Sequence, residues 1–179
     1  RNVKNILVEH CVLWNAEPGN AVEIGYEVRC DEISDITFRD LDIVHCEYEG
    51  NQSGGVLTIH NADRAHIHDI VYEDIRVEDA QEKFVDIKVL DSKYSLDRKR
   101  GSVENIYFRN VEILNGNFPV SIIRGFEMHT EMSRPRNIYF DNVVVLGKQV
   151  ESPSDLHMVV ELSDDILFNG TAHAKRNPF

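Results

Sequence analysis

The chain has 179 residues, 42% of them hydrophobic, with 31 acidic side chains against 19 Lys and Arg, a formal net charge of −12. That is enough apolar material for a core, which excludes a disordered tail and fits a single domain spanning 1–179. The acidic excess excludes a phosphate-backbone partner, so no nucleic acid is expected. No apolar run approaches the roughly 20 residues that cross a bilayer, so no membrane partner is expected either.

Taken in chain order, the elements repeat. The first period opens on Asn5-Ile6-Leu7-Val8, places His10 five residues after its anchor and reaches a short strand at Ala21-Val22-Glu23-Ile24. The second runs Asp35-Ile36-Thr37-Phe38, Asp40, the alternating Leu41-Asp42-Ile43, and a short strand at Val56-Leu57-Thr58-Ile59. The third runs Asp69-Ile70-Val71-Tyr72, Asp74 and Val85-Asp86-Ile87. The fourth runs Asn105-Ile106-Tyr107-Phe108, Asn110, Val111-Glu112-Ile113 and Val120-Ser121-Ile122. The fifth holds Asn137-Ile138-Tyr139-Phe140, Asn142 and Val159-Val160-Glu161-Leu162, and Asp165-Ile166-Leu167-Phe168 opens a sixth. The steps between anchors are 30, 34, 36, 32 and 28 residues.

Every run is short and alternates with period two, and no window carries a helical stripe. Short strands recurring at this period describe the coils of a solenoid. The fold expected is all-β, a right-handed parallel β-helix of about five to six coils of about 32 residues. The Ile and aromatic columns would stack inward, and the Asn/Asp column would form a side-chain ladder at a turn. The unequal steps put insertions at one corner, at Glu47–Gly54, Asp91–Ser102, Phe126–Pro135 and Lys148–His157. With the first anchor at Asn5, few residues remain to cap the first coil, so missing N-terminal coils or another chain are expected to cover that end. Three cysteines, Cys11, Cys30 and Cys46, fit neither a zinc site nor a disulfide framework and are expected as buried thiols. The sequons at Asn51-Gln52-Ser53 and Asn169-Gly170-Thr171 bear on the molecule only in a secreted eukaryotic protein.

The stretch Cys11-Val12-Leu13-Trp14-Asn15, then Gly19-Asn20-Ala21-Val22-Glu23-Ile24-Gly25, then Ile36-Thr37-Phe38 and Asp42-Ile43-Val44-His45, resembles the later coils of β-helical glycoside hydrolases, namely the dextranase-like family 49 and the polygalacturonase-like family 28. The resemblance runs loosely over residues 2–168. It implies a pectin-lyase-like β-helix belonging to an enzyme that hydrolyses O-glycosyl bonds of a polysaccharide with paired carboxylates, secreted or at the cell surface if the polysaccharide is extracellular. Those families carry their catalytic aspartates on an Asp-Asp strand ahead of the matching region. The one Asp-Asp here, Asp164-Asp165, falls on an anchor. The Gly-His-Gly and Arg-Ile-Lys segments of polygalacturonases are replaced by Gly19-Asn20-Ala21 and Val56-Leu57-Thr58-Ile59, which favours a neutral glucan over an anionic galacturonan.

The residues themselves offer one candidate site. With Val22/Ile24, Leu57/Ile59 and Val85/Ile87 inward, Glu23, Thr58 and Asp86 face outward in one column, and Gly25, His60 and Lys88 in the next. Glu23 and Asp86 would stand two coils apart, about 9–10 Å, at the upper edge of the roughly 6.5–9.5 Å that inverting glycosidases use. They are the expected catalytic pair, with His60 and Lys88 tuning protonation or holding hydroxyls. Glu27 is a second acid at the same edge. Trp14 and Asn15 are candidate substrate contacts, Trp14 by stacking, though its position after Val12 equally fits partial core burial. Arg124, which breaks the alternation after Ile123, is a further candidate substrate contact. The plain alternative is a solvated surface strand of an acidic protein. His10 is expected in the turn ladder, and the basic loop Lys93–Gly101 as a counterbalance to acidic surface or a solvated loop. No cofactor and no metal is expected, and the partner is a polysaccharide or oligosaccharide. The competing expectation is a non-catalytic β-helix module for carbohydrate binding or assembly.

Overall fold

A computed structural model describes residues 1–16, 19–47, 54–117 and 120–172. In chain order the strands are β1 (Val3–Asn15), β2 (Val22–Ile24), β3 (Glu32–Cys46), β4 (Gly55–Asn61), β5 (His66–Val77), β6 (Lys83–Val89), β7 (Ser102–Ile113) and β8 (Ser121–Arg124). They continue as β9 (Phe126–Met128), β10 (Glu131–Ser133), β11 (Arg136–Val145), β12 (Lys148–Gln149), β13 (Met158–Glu161), β14 (Asp164–Phe168) and β15 (Thr171–Ala172), with one 3-10 turn at Pro153–Leu156. The molecule is an all-β solenoid of parallel stacked strands. One sheet runs β1-β3-β5-β7-β11-β14 in parallel, closed at its end by antiparallel β15, and a second runs β2-β4-β6-β8-β13.

The periodicity maps directly onto the pairing. Ile6, Ile36, Ile70, Ile106, Ile138 and Ile166 are register partners from strand to strand. Phe38, Tyr72, Phe108, Phe140 and Phe168 stack with ring centroids 4.7–5.1 Å apart and planes within 9° of parallel. That spacing is the inter-strand distance, so sheet pairing holds the rings in register, and each stacked pair adds about 0.5–1.5 kcal/mol beyond its buried area.

The anchor and the strand after it are one continuous strand, not two strands separated by a turn. In β3, Asp35 and Asp40 sit at φ 56° and 51°, and the chain bends at each without leaving the sheet. The same left-handed pair recurs as Asn5/His10, Asp69/Asp74, Asn105/Asn110, Asn137/Asn142 and Asp165/Asn169. Asn and Asp tolerate this conformation better than other side chains with a Cβ, which is why they hold the column. Their side chains form the expected ladders: Asn105 donates to Asp69 at 3.1 Å, Asn137 to Asn105 at 3.1 Å, Asn110 to Asp74 at 3.0 Å and Asn142 to Asn110 at 2.9 Å. His10 belongs to this ladder, its Nδ1 lying 2.6 Å from the Asp40 carboxylate.

Register corrects one strand. In β8 it is Ser121 and Ile123 that face the core and Ile122 that faces out, because Ile123 pairs with Ile87. Of the insertions, 126–135 folds as the β9–β10 hairpin, and 148–157 contains β12 and the 3-10 turn. Residues 48–53 of the Glu47–Gly54 insertion, with the Asn51 sequon, lie outside the described residues. All three cysteines are free thiols, Cys46 buried and Cys11 and Cys30 half-buried.

Candidate functional site

The outer face of the short-strand sheet is not a solvated surface. Strands β4 and β6 are buried on both faces, and Thr58, His60, Lys83 and Asp86 lose nearly all solvent contact. The pairing Glu23↔Thr58↔Asp86, with Lys88 opposite His60, places the column as the sequence predicts. What the sequence does not predict is that the column is roofed over, with Asp86 fully buried instead of facing solvent.

At its centre His60 bridges the two carboxylates. Its Nδ1 is 3.0 Å from Glu23 Oε1, and its Nε2 is 3.2 Å from Asp86 Oδ2. The second contact has ion-pair distance without hydrogen-bond alignment, so Nε2 and the other Asp86 oxygen, Oδ1, are both buried without a hydrogen-bond partner. Lys88 Nζ reaches Asp86 Oδ2 at 2.8 Å and the buried Lys83 Nζ reaches it at 3.4 Å, while Asn20 donates to Glu23 Oε2 at 2.8 Å. Glu23 alone of the bridge keeps an open side, with 29% of its side chain exposed.

The charges are mutually enforced. The His60 hydrogen bond, aided by Asn20 and opposed by burial, holds the Glu23 carboxyl below its usual range. Burial alone would raise Asp86, but His60 and Lys88 outweigh it and leave Asp86 lowered as well. Burial would likewise strip the His60 proton, yet Asp86 and Glu23 outweigh it and hold the imidazole above its ordinary value. The arrangement is an imidazole clamped between two carboxylates that favour its protonated form, and it can accept hydrogen bonds from hydroxyls at the open side of Glu23. Among the described residues no three His, Cys, Asp or Glu side chains have metal-holding geometry, and in the bridge the imidazole fills the space between the carboxylates.

The structure thus brings together Glu23, His60, Asp86 and Lys88. Arg124 stands one strand further along, opposite Lys88, and is paired to Glu161 at 2.6 Å. Glu27 is exposed nearby, close enough for its charge to raise the Tyr26 phenol, where burial is the largest cause. Trp14 and Asn15 lie apart at the end of β1. Trp14 is 67% exposed against His45, ring centroids 5.1 Å apart, and so is no core residue. The Asn15 amide donates to the Cys46 sulfur at 3.8 Å, which spends it structurally.

Sequence reasoning missed Asn20, Lys83, Tyr26 and Tyr94. Tyr26 stands edge-on to His60 at 5.4 Å, and Tyr94, 52% exposed, stands edge-on to Tyr26 at 6.3 Å. Tyr94 reaches the site from an insertion more than thirty residues away from His60, so only its place in the loop 91–101 signalled it. The basic cluster of that loop is not solvated as a whole: Arg100 is buried and donates to the carbonyls of Ala62 and Asp97. In comparisons with known proteins, no protein-family model, no curated protein and no solved structure matches this chain.

Proposed function

We propose that this chain is the sugar-engaging part of a polysaccharide-active glycoside hydrolase, with the outer face of the short strands as its sugar face. The observation that carries the reading is the Glu23–His60–Asp86 bridge: an ionised carboxylate with one open side, backed by a buried imidazole and by a buried carboxylate oxygen with no hydrogen-bond partner. A hexose presents several hydroxyl donors at once, and such a bridge accepts them at Glu23. Inverting glycosidic hydrolysis by paired carboxylates further requires one of the two to be held protonated and a water between them.

One observation favours a second reading, glycan binding without cleavage. Both carboxyls are held ionised, and the His60 ring occupies the space where the water of an inverting reaction would stand. In either reading the edge of β1 is where further coils or another chain stack, since its core-column residue Ile6 is 39% exposed while its neighbour Ile36 is buried.

Reducing-sugar release and calorimetric binding, measured on dextran, pullulan, pectin and xylan, separate these readings. Under the hydrolase reading a glucan is cleaved, and Glu23→Gln lowers the rate by about 10²–10⁴-fold, the range for loss of an acid–base group. Binding without release supports the module. Neither binding nor release on any of the four sinks both.

A further inference from the structure

We infer that Tyr26 and Tyr94 form an aromatic wall of this sugar site that takes the apolar face of a neutral pyranose, and that the buried Asp63 carboxylate is the positioning residue that sets the wall. The inference rests on the sugar-site reading of the Glu23–His60–Asp86 bridge and extends it to the ligand's class and to residues outside the bridge.

The wall is continuous with the bridge. From His60 the rings step outward to Tyr26 and then to Tyr94, meeting edge to face at 66° and 88°. Ser92, in the loop that carries Tyr94, lies close enough to the Tyr26 hydroxyl to oppose the upward push of burial on its pKa. Half of Tyr94 is open to solvent, and so is one side of Glu23. A pyranose has an apolar C–H face for a ring and equatorial hydroxyls for a carboxylate. This corner holds a half-exposed ring, with Lys93 Nζ over one face at 4.9 Å, and an open carboxylate. An open, ionised Glu23 disfavours a uronate, which would bring a second negative charge to the same corner.

An exposed tyrosine on a long insertion has little intrinsic order, so its position needs a cause. Asp63 provides it. Its side chain is fully buried, and its Oδ1 accepts the backbone N–H groups of Leu96 at 2.8 Å and Asp97 at 2.9 Å, while Arg29 Nε lies 3.4 Å from Oδ2. Burial alone would raise this carboxyl, but the Asp97 and Leu96 amides and Arg29 outweigh it and keep it ionised. The neighbouring residues complete the brace. Arg64 Nη1 grips both Asp97 oxygens at 3.0 Å, Arg100 caps the Ala62 carbonyl, and the Gly101 N–H donates to the Asp63 carbonyl at 2.7 Å. The loop is therefore pinned at residues 96–101 to the segment 62–64, which begins two residues after His60. One short run of chain holds the centre of the bridge and fixes the wall beside it.

The test is calorimetric titration of the full chain with isomaltohexaose, maltohexaose, xylohexaose and trigalacturonate. The wild type is expected to bind one of the neutral hexaoses in preference to trigalacturonate. Tyr94→Ala should weaken that binding about tenfold or more, about 1.4 kcal/mol, while Tyr94→Phe retains it. Asp63→Asn should weaken it severalfold, and the double variant Asp63→Asn/Tyr94→Ala should lose no more than Tyr94→Ala alone, because the two act through one ring. A purely structural Asp63 would add its loss to that of Tyr94→Ala, and that result overturns its positioning role. If Asp63→Asn does not fold, Arg64→Gln releases the same loop through Asp97 and replaces it in the cycle. Loss of binding in Glu23→Gln with wild-type binding in Tyr94→Ala overturns the wall and leaves the site standing. Wild-type binding in both variants, or binding to none of the four sugars, overturns the site and the wall together, and preference for trigalacturonate overturns the neutral ligand.

Discussion

Asn110 shows how much of this molecule rests on single polar side chains. It occupies the left-handed region at φ 51°, accepts from Asn142 and donates to Asp74. Replacement by Ala removes both ladder bonds and puts an ordinary side chain where φ is positive, while replacement by Gly removes the same bonds at no steric cost. We expect Asn110→Ala to destabilise by about 2 kcal/mol and Asn110→Gly by visibly less, read from urea denaturation midpoints. Tyr72 presents the opposite case. Its ring fills the aromatic ladder, but its hydroxyl is buried without a hydrogen-bond partner and burial pushes its pKa up. Tyr72→Phe deletes that unsatisfied group and leaves the stack, so the midpoint should rise by the equivalent of about 1 kcal/mol. Both positions were legible by column, since the repeat placed Asn110 in a ladder and Tyr72 among the aromatics. The fate of the Tyr72 hydroxyl was not, because satisfaction depends on neighbours the repeat does not name.

At the scale of the element, the coupling lies between β2, β4 and β6. His60 on β4 joins Glu23 on β2 to Asp86 on β6. The folded pKa of His60 is raised, so its contribution to stability is complete below the ordinary imidazole range and is lost as pH rises through the raised folded value. The two carboxyls are lowered, so theirs is present above the ordinary carboxylate range and is lost as pH falls through the lowered folded values. Stability should therefore plateau between the two ranges and fall on the alkaline side. His60→Gln should shrink the alkaline limb in melting curves recorded across pH, leaving the part carried by His68, whose pKa, against burial, Asp69 and Glu32 also raise. Packing between elements is equally strict at Gly101, just before β7. A methyl there would run into the Ala65 carbonyl of the previous coil, so Gly101→Ala should lower the melting temperature and shift the loop 91–101. The outward column Glu23/Thr58/Asp86 could be written from alternation alone. Its burial could not, because alternation says which way a side chain points and nothing about what covers it.

For the whole molecule, stacking makes stability nearly one-dimensional, each strand leaning on its two neighbours. Charge follows the same axis. The outward residues Glu9, Arg39, Glu73, Arg109 and Asp141 pair from strand to strand with alternating sign, so each step meets an opposite charge. Strands with partners on both sides should open last. Hydrogen exchange is expected to show the highest protection in β5 and β7 and the lowest in β1, whose Val3, Ile6, Leu7, Val12 and Trp14 are exposed. Uniform protection along the stack would contradict this.

The sequence by itself determined the solenoid, the two Asn/Asp ladders, the aromatic stack and the facing of Glu23, His60, Asp86 and Lys88. Each is a consequence of a repeat whose equivalent residues are brought to strand-pairing distance by the fold. Only the tertiary structure decided that Asp86 and His60 are buried, that the imidazole stands between the carboxylates, and that Tyr26, Tyr94 and Asp63 belong to the same corner. These depend on contacts between residues that share no column of the repeat, and in the case of Tyr94 on an insertion whose position is set by the contacts that receive it.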